Sequence, residues 1–150
     1  MKKIFYLCLF LCTVCSGYAL SSMTDTEWVF VEGLEFDGVI GHSPNKRLLG
    51  KKLKYRQSSV EFDGKSYRIK RVQKEEWTSE DLYNETRGFG EMGSRGLTFK
   101  DFNYSGDKLT VLNYRVESQE YTPAGGDIFL INDKEAIMLH DTYYRLKRIK

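Results

Sequence analysis

The residues with the most suggestive spacing are the glycines between positions 88 and 96. Gly88, Gly90 and Gly93 match the pattern G-x-G-x-x-G, which holds a dinucleotide phosphate when it follows a strand and opens a helix. Here the glycines follow a predicted helix and open none, so the required context is missing. We therefore interpret 88–96 as a loop beside a binding site. The candidate binding residues in this loop are Gly88, Phe89, Gly90, Met92 and Arg95.

The two histidines do not predict a catalytic or metal site, because such a site usually needs two or three convergent ligands. His42 lies in a turn, and His140 ends a predicted strand beside Asp141, where neighbouring side chains point to opposite faces. No serine lies in a G-x-S-x-G context, and all three cysteines fall within residues 1–19. We expect no catalytic residue, no metal and no cofactor. Some acids that could pair in a cleft are more simply explained as turn and surface acids: Asp37, Asp101 and Asp127.

Tyrosine is the residue type that most favours a binding surface in this chain, which has ten Tyr and nine Phe. Tyrosine combines an apolar ring with a polar tip and is enriched where proteins bind partners. Aromatic residues also fill twisted sheets, so packing in the core is the competing interpretation. The candidate binding tyrosines are Tyr114, Tyr121, Tyr143 and Tyr144.

The elements that must position these residues are mostly strands, because short aromatic or β-branched runs ended by turn residues recur along the chain. Asp63-Gly64 between two such runs predicts a hairpin with a type I′ turn. The run from Ile128 to Ile131 has no polar face, which indicates a strand covered on both sides. The predicted strands are 28–31, 49–55, 58–62, 65–72, 97–104, 109–117, 127–131, 135–140 and 142–149.

One short helix, near 79–87, interrupts the strands. Thr78 supplies a capping hydroxyl three residues before Asp81, and Gly88 is placed to end the helix. The sequence thus predicts a mainly β fold, an antiparallel meander of about eight strands forming a small barrel or a strongly curved sheet. This outline is similar to that of small exported lipocalin-like or inhibitor-type β proteins, a resemblance of fold that implies no particular function.

The first nineteen residues have the layout of a secretory signal peptide with cleavage after Ala19. Lys2 and Lys3 precede an apolar run, and small residues stand before the cleavage point. Residues 20–150 then form a single β-rich domain. Without the two signal lysines, 21 basic residues face 21 acidic ones, a balance that argues against a nucleic-acid partner.

Export, small size, the absence of a catalytic motif and the tyrosine content together favour a non-enzymatic binding protein of the periplasm or cell exterior. We expect it to bind and block a protein partner, as an inhibitor or immunity protein does, with no integral membrane span after cleavage. The alternative is a lipocalin-like carrier that holds a small apolar ligand in the barrel mouth. A third possibility is a cell-envelope hydrolase, which would need a carboxylate or histidine pair in a cleft.

Overall fold

The structure is a computed structural model that describes residues 23–39, 41–88 and 94–150. The predicted signal peptide lies outside these residues, as do the candidate binding residues Phe89, Gly90 and Met92. In chain order the elements are β1 (Thr26–Leu34), a 3-10 turn (Lys46–Leu48), β2 (Lys52–Tyr55), β3 (Ser59–Phe62), β4 (Lys65–Trp77), α1 (Ser79–Thr86), β5 (Leu109–Val116), β6 (Gly126–Leu130), β7 (Glu135–Leu139) and β8 (Tyr143–Arg148).

The eight strands form a closed antiparallel barrel in which each strand pairs with the next along the chain. β1 also pairs with β8, through partners such as Phe30 and Leu146, and this pairing closes the barrel. The predicted fold class, an antiparallel meander of about eight strands with one short helix, is therefore confirmed. Closure gives every strand two hydrogen-bonded neighbours, which removes the unpaired edges of an open sheet.

The hairpin between β3 and β4 has the predicted turn. Asp63 and Gly64 both adopt positive φ, at 49° and 80°, and they join the directly paired residues Phe62 and Lys65. A type I′ turn needs positive φ at both central positions, which an Asp-Gly pair tolerates.

Helix α1 also begins and ends as predicted. The Thr78 hydroxyl accepts a hydrogen bond from the Asp81 backbone N–H, and the Asp81 carboxylate accepts one from the Thr78 N–H, which makes a capping box. Gly88 follows the helix with φ of +89°. No helix in the described part of the chain combines the length and apolar character needed to cross a membrane.

The barrel interior is the main core, and all eight strands contribute side chains to it. Alternate residues along a strand point inward, because successive side chains of a strand face opposite sides, and this alternation shifts at the bulges in β1 and β4. The most voluminous of these buried side chains are those of Trp28, Phe30, Tyr55 and Tyr144. An eight-stranded barrel is narrow enough for side chains to fill. The fourteen buried residues of this core are Met23, Trp28, Phe30, Leu53, Tyr55, Val60, Leu112, Tyr114, Ala124, Ile128, Ala136, Met138, Tyr144 and Leu146.

A second core lies on the outer side of the wall formed by β5 to β8. Helix α1 contributes Leu82, and the segment 97–102 contributes Phe99 and Phe102. On β6, Ile128 packs in the barrel interior while its neighbour Phe129 packs in this outer core. The prediction that this strand is covered on both sides is thus confirmed.

The predicted strand 97–104 is wrong: this segment forms turns, and the nearby turn at 105–107 joins no pair of neighbouring strands. The physical cause is local hydrogen bonding. The Asp101 carboxylate accepts hydrogen bonds from the backbone N–H and the hydroxyl of Thr98, and Asn103 adopts φ of 53°. Such side-chain bonds compete with a sheet ladder. Strand boundaries also differ, most of all in three strands: β1 spans Thr26–Leu34 instead of 28–31, β2 begins only at Lys52, and β4 continues to Trp77.

Candidate functional site: a trough on the outer wall

Three adjacent cavities lie on the outer side of the barrel wall, and Leu139 lines all of them. The first, of about 390 Å³, lies between β4, β5, β6 and the end of α1. The second, of about 320 Å³, lies beside the loop 118–126. The third, of about 720 Å³, lies between the segment 34–39 and the residues after β7. We call the three cavities together the outer trough.

The strand register places a row of four residues along this trough. Asn113 on β5 pairs with Asp127 on β6, which pairs with Leu139 on β7, which in turn pairs with Tyr143 on β8. All four point outward, because the residues next to them (Leu112, Ile128, Met138 and Tyr144) point into the barrel interior. Three polar side chains from three strands thus lie on one side of the sheet.

Two of these side chains carry buried polar atoms that have no hydrogen-bond partner among the described residues, the Oδ1 atom of Asn113 and the hydroxyl of Tyr143. The Nδ2 atom of Asn113 donates to Asp127 Oδ1, so the amide is satisfied on one side only. A third such atom at the trough is Nδ1 of His140. Leaving a buried polar atom unpaired costs about 1–3 kcal/mol, so each of these atoms is open to a partner that the fold does not supply.

Burial changes the pKa of the titratable groups at the trough. The side chain of Tyr143 is 6% exposed, and burial, with a smaller effect of the Asp127 charge, raises the pKa of its hydroxyl well above the ordinary range. Burial lowers the pKa of His140, and the charge of Asp141 opposes that change in part. At neutral pH both groups are therefore uncharged. Asp127 forms no ion pair with any residue that the structure describes, so its negative charge is not compensated within this row.

The trough is acidic, although the predicted domain as a whole is formally neutral. Among the described residues that line it, Arg115 is the single lysine or arginine. Seven carboxylates also line the trough: Glu35, Asp37, Glu75, Glu85, Glu120, Asp127 and Asp141. Clefts lined by one sign of charge focus the electric field and attract ligands of the opposite sign.

Three of the four candidate tyrosines line this trough, Tyr114, Tyr121 and Tyr143. Tyr121 is 74% exposed and stacks on the His140 imidazole, with ring centroids 4.1 Å apart and planes 11° apart. Tyr143 lines the third cavity. Tyr114 contributes to the wall of the second cavity, and Tyr144 lines none of the three. Both side chains are buried in the barrel interior, where burial raises the pKa of each to about 12. The ring of Tyr114 packs against Tyr55 at 4.9 Å, and the Tyr144 hydroxyl accepts a hydrogen bond from the Asn45 N–H.

Arg95, the candidate from the glycine-rich loop, connects Asp37 to the segment 96–101 through hydrogen bonds at one side of the trough. Its guanidinium forms two hydrogen bonds to the Asp101 carboxylate, of 2.6 and 2.9 Å, and it also donates to the carbonyls of Asp37 and Gly96. The segment 37–38 lines the third cavity, so Arg95 positions one wall of the trough. Gly88 lines none of the three cavities and follows Arg87, the C-cap residue of helix α1.

The sequence did not indicate that Asn113 belongs to the candidate site, nor that Asp127 contacts it there. Their contact depends on the register between β5 and β6, which no local pattern reveals. His140 also gains its aromatic partner from a different segment of the chain.

Among the residues that the structure describes, no group of three or more His, Cys, Asp or Glu side chains is arranged to hold a metal ion. Comparison of the chain with protein-family models, with curated proteins and with solved structures finds no match.

Proposed function

We propose that this chain is an exported, non-enzymatic binding protein that recognises a protein partner through the outer trough, in the manner of an inhibitor or immunity protein. One observation carries the proposal: aromatic and polar groups suited to recognition lie together on the outer wall, beside Leu139. Export is supported by the signal-peptide pattern of residues 1–19.

Tyr121 is the side chain that most favours a protein as the partner. It is a large aromatic residue that is mostly exposed, and stacking on His140 holds it in place at the rim of the trough. Tyrosine is enriched among the residues that dominate binding energy at protein interfaces. A ring already held in one orientation loses less conformational entropy when it binds.

The alternative, a carrier of a small apolar ligand, places that ligand in the barrel mouth. Large side chains such as Trp28, Phe30 and Tyr55 occupy the interior, so the packing favours the outer wall as the place of recognition. Native mass spectrometry of the purified protein tests the carrier directly, because it would detect a small molecule that co-purifies. A hydrolase would need the acids and His140 at the trough to act on a substrate, and substitution of both histidines tests that role.

The proposal is tested by capturing partners from a cell-envelope extract of the source organism with the purified protein. The extract is applied to the wild-type protein, to Tyr121→Ala and to Ile149→Ala. Ile149 is a matched control, because it is half-exposed and apolar but lines none of the three cavities. We expect one saturable protein partner whose affinity falls about tenfold or more in Tyr121→Ala and is unchanged in Ile149→Ala. Equal recovery with all three proteins, or no saturable partner, would contradict the proposal.

A further inference from the structure

We propose that the outer trough binds an arginine side chain on a basic segment of the partner, with the guanidinium seated against Asn113, Asp127 and Tyr143. This inference rests on the proposed function, because it names the chemistry of the partner at the same site. It is carried by unpaired acceptors, by the sign of the surrounding charge and by the aromatic side chains beside Asp127.

The three side chains of the row offer more free hydrogen-bond acceptors than free donors. The Oδ1 atom of Asn113 is an acceptor only, the Asp127 carboxylate has lone pairs beyond the one used by Asn113 Nδ2, and the Tyr143 hydroxyl can also accept. The Tyr143 side chain is more than nine-tenths buried, and its hydroxyl has no partner among the described residues. A ligand that fits must therefore bring several N–H donors to one place.

Charge complementarity decides that this ligand is a cation. Seven carboxylates and one arginine line the trough, and of these acids Glu120 pairs with Lys65 at 3.5 Å. A positive group gains attraction from the other acids of the rim as well as from Asp127. Arg115 lies two residues from Asn113 on the same strand and pairs in register with Arg71, and it forms no ion pair with any residue described by the structure. An incoming cation therefore displaces no ion-pair partner of Asp127, although the charge of Arg115, which lines the same two cavities, opposes it in part.

The aromatic side chains beside the row favour arginine over lysine. Trp77 and Phe129 line the same cavity as Asp127, with their ring centroids 5.9 Å apart. The indole N–H of Trp77 donates to Glu75 at 2.7 Å, so this ring is held in one orientation. A planar guanidinium can stack on an aromatic ring while its five N–H donors reach the acceptors, whereas an ammonium is a compact, strongly hydrated charge.

The probes are three blocked peptides of equal length, octa-arginine, octa-lysine and octa-citrulline, the last an uncharged isostere of the first. Binding to the full domain is measured by isothermal titration calorimetry and by amide chemical shifts, at low and at physiological ionic strength. We expect octa-arginine to bind more tightly than octa-lysine and octa-citrulline not to bind. The shifts should centre on β5, β6 and β8, and octa-arginine binding should weaken with added salt.

The deciding variant is Asp127→Asn, which keeps an acceptor for Asn113 Nδ2, removes the charge and exchanges the second acceptor oxygen for an amide donor. It should weaken octa-arginine binding by about tenfold to a hundredfold, the range for loss of a hydrogen bond to a charged group. Asp133→Asn, the same change at the exposed tip of the β6–β7 hairpin, should leave the affinity unchanged. Glu85 lies on the exposed rim of the same cavity, so Glu85→Gln can be tested even if the variant Asp127→Asn does not fold. This substitution should weaken octa-arginine binding by about twofold to threefold.

The result that would overturn this inference is equal octa-arginine affinity for wild-type protein and Asp127→Asn, or binding of octa-citrulline as tight as that of octa-arginine. The outcome for the proposed function is separate. A captured partner that depends on Tyr121 but is not displaced by octa-arginine would sustain the proposed function and refute the arginine site. Octa-arginine binding that depends on Asp127, without any captured partner, would sustain the arginine site and count against the protein partner.

Discussion

Replacing Asp101 with asparagine should lower the free energy of unfolding by about 1–2 kcal/mol at pH 7. The Arg95 guanidinium, through its two hydrogen bonds, together with the Thr98 backbone and hydroxyl, lowers the pKa of Asp101 from 3.8 to about 2. Each pKa unit corresponds to about 1.4 kcal/mol, so the full shift corresponds to about 2 kcal/mol. A third of the Arg95 side chain is exposed, and solvent screening therefore reduces the expected loss in the free energy of unfolding to about 1–2 kcal/mol.

The pH dependence of this effect has a definite sign. Because the folded-state pKa of Asp101 lies below its value in the unfolded chain, the stabilisation is fully present above about pH 4. It is lost as the pH falls from there to about 2, where the folded protein also takes up the proton. By pH 3 about half of the stability difference between the wild-type protein and Asp101→Asn should be gone.

Urea denaturation at a series of pH values between 7 and 3 measures this difference. Asp63→Asn is a matched control, since it removes an exposed ion pair with Lys51 from a turn that asparagine tolerates, and we expect a change below about 0.5 kcal/mol. A gap between wild type and Asp101→Asn that stays constant from pH 7 to pH 3 would refute the electrostatic reasoning. The contribution of Asp101 would then come from neutral hydrogen bonding and packing alone.

Three further substitutions test separate parts of the structure. Tyr143→Phe removes a buried hydroxyl without a described partner and should raise the free energy of unfolding by about 1 kcal/mol in urea. Gly96→Ala places a methyl group 2.0 Å from the Tyr83 carbonyl oxygen and should cost about 2 kcal/mol or more by thermal denaturation, whereas Gly41→Ala meets no atom within 4 Å and should be neutral. Thr78→Ala removes the cap of α1 and should cost about 1 kcal/mol, and an unchanged melting temperature would contradict this role.

The sequence predicted the fold where local chemistry is decisive. The Asp63-Gly64 turn and the Thr78 cap each depend on residues a few positions apart, so a single pattern contains all the information needed. The segment 97–104 misled because its first residues alternate like a strand. The side-chain hydrogen bonds of Asp101 and the positive φ of Asn103 instead fold it into turns.

The candidate site was harder to predict, because it depends on register between strands. Leu112, Tyr114 and Val116 share one face of β5, and since leucine and valine face the barrel interior there, Tyr114 must do so as well. That placement follows from alternation alone. The row from Asn113 to Tyr143 does not, because the loops before β6 and β8 leave the register open and only the closed barrel fixes it.

The unpaired buried atoms can be a defect of packing or a feature of the site, and the position of each separates the two explanations. The Tyr55 hydroxyl, inside the barrel beside Tyr114, has no described partner and lies where a protein ligand does not reach. The other three such atoms belong to Asn113, His140 and Tyr143, all at the outer trough. If they are defects, Tyr143→Phe should stabilise the fold and leave octa-arginine binding unchanged. If they form a site, the same substitution should stabilise the fold and weaken that binding, the trade-off expected where function depends on groups that the fold leaves unsatisfied.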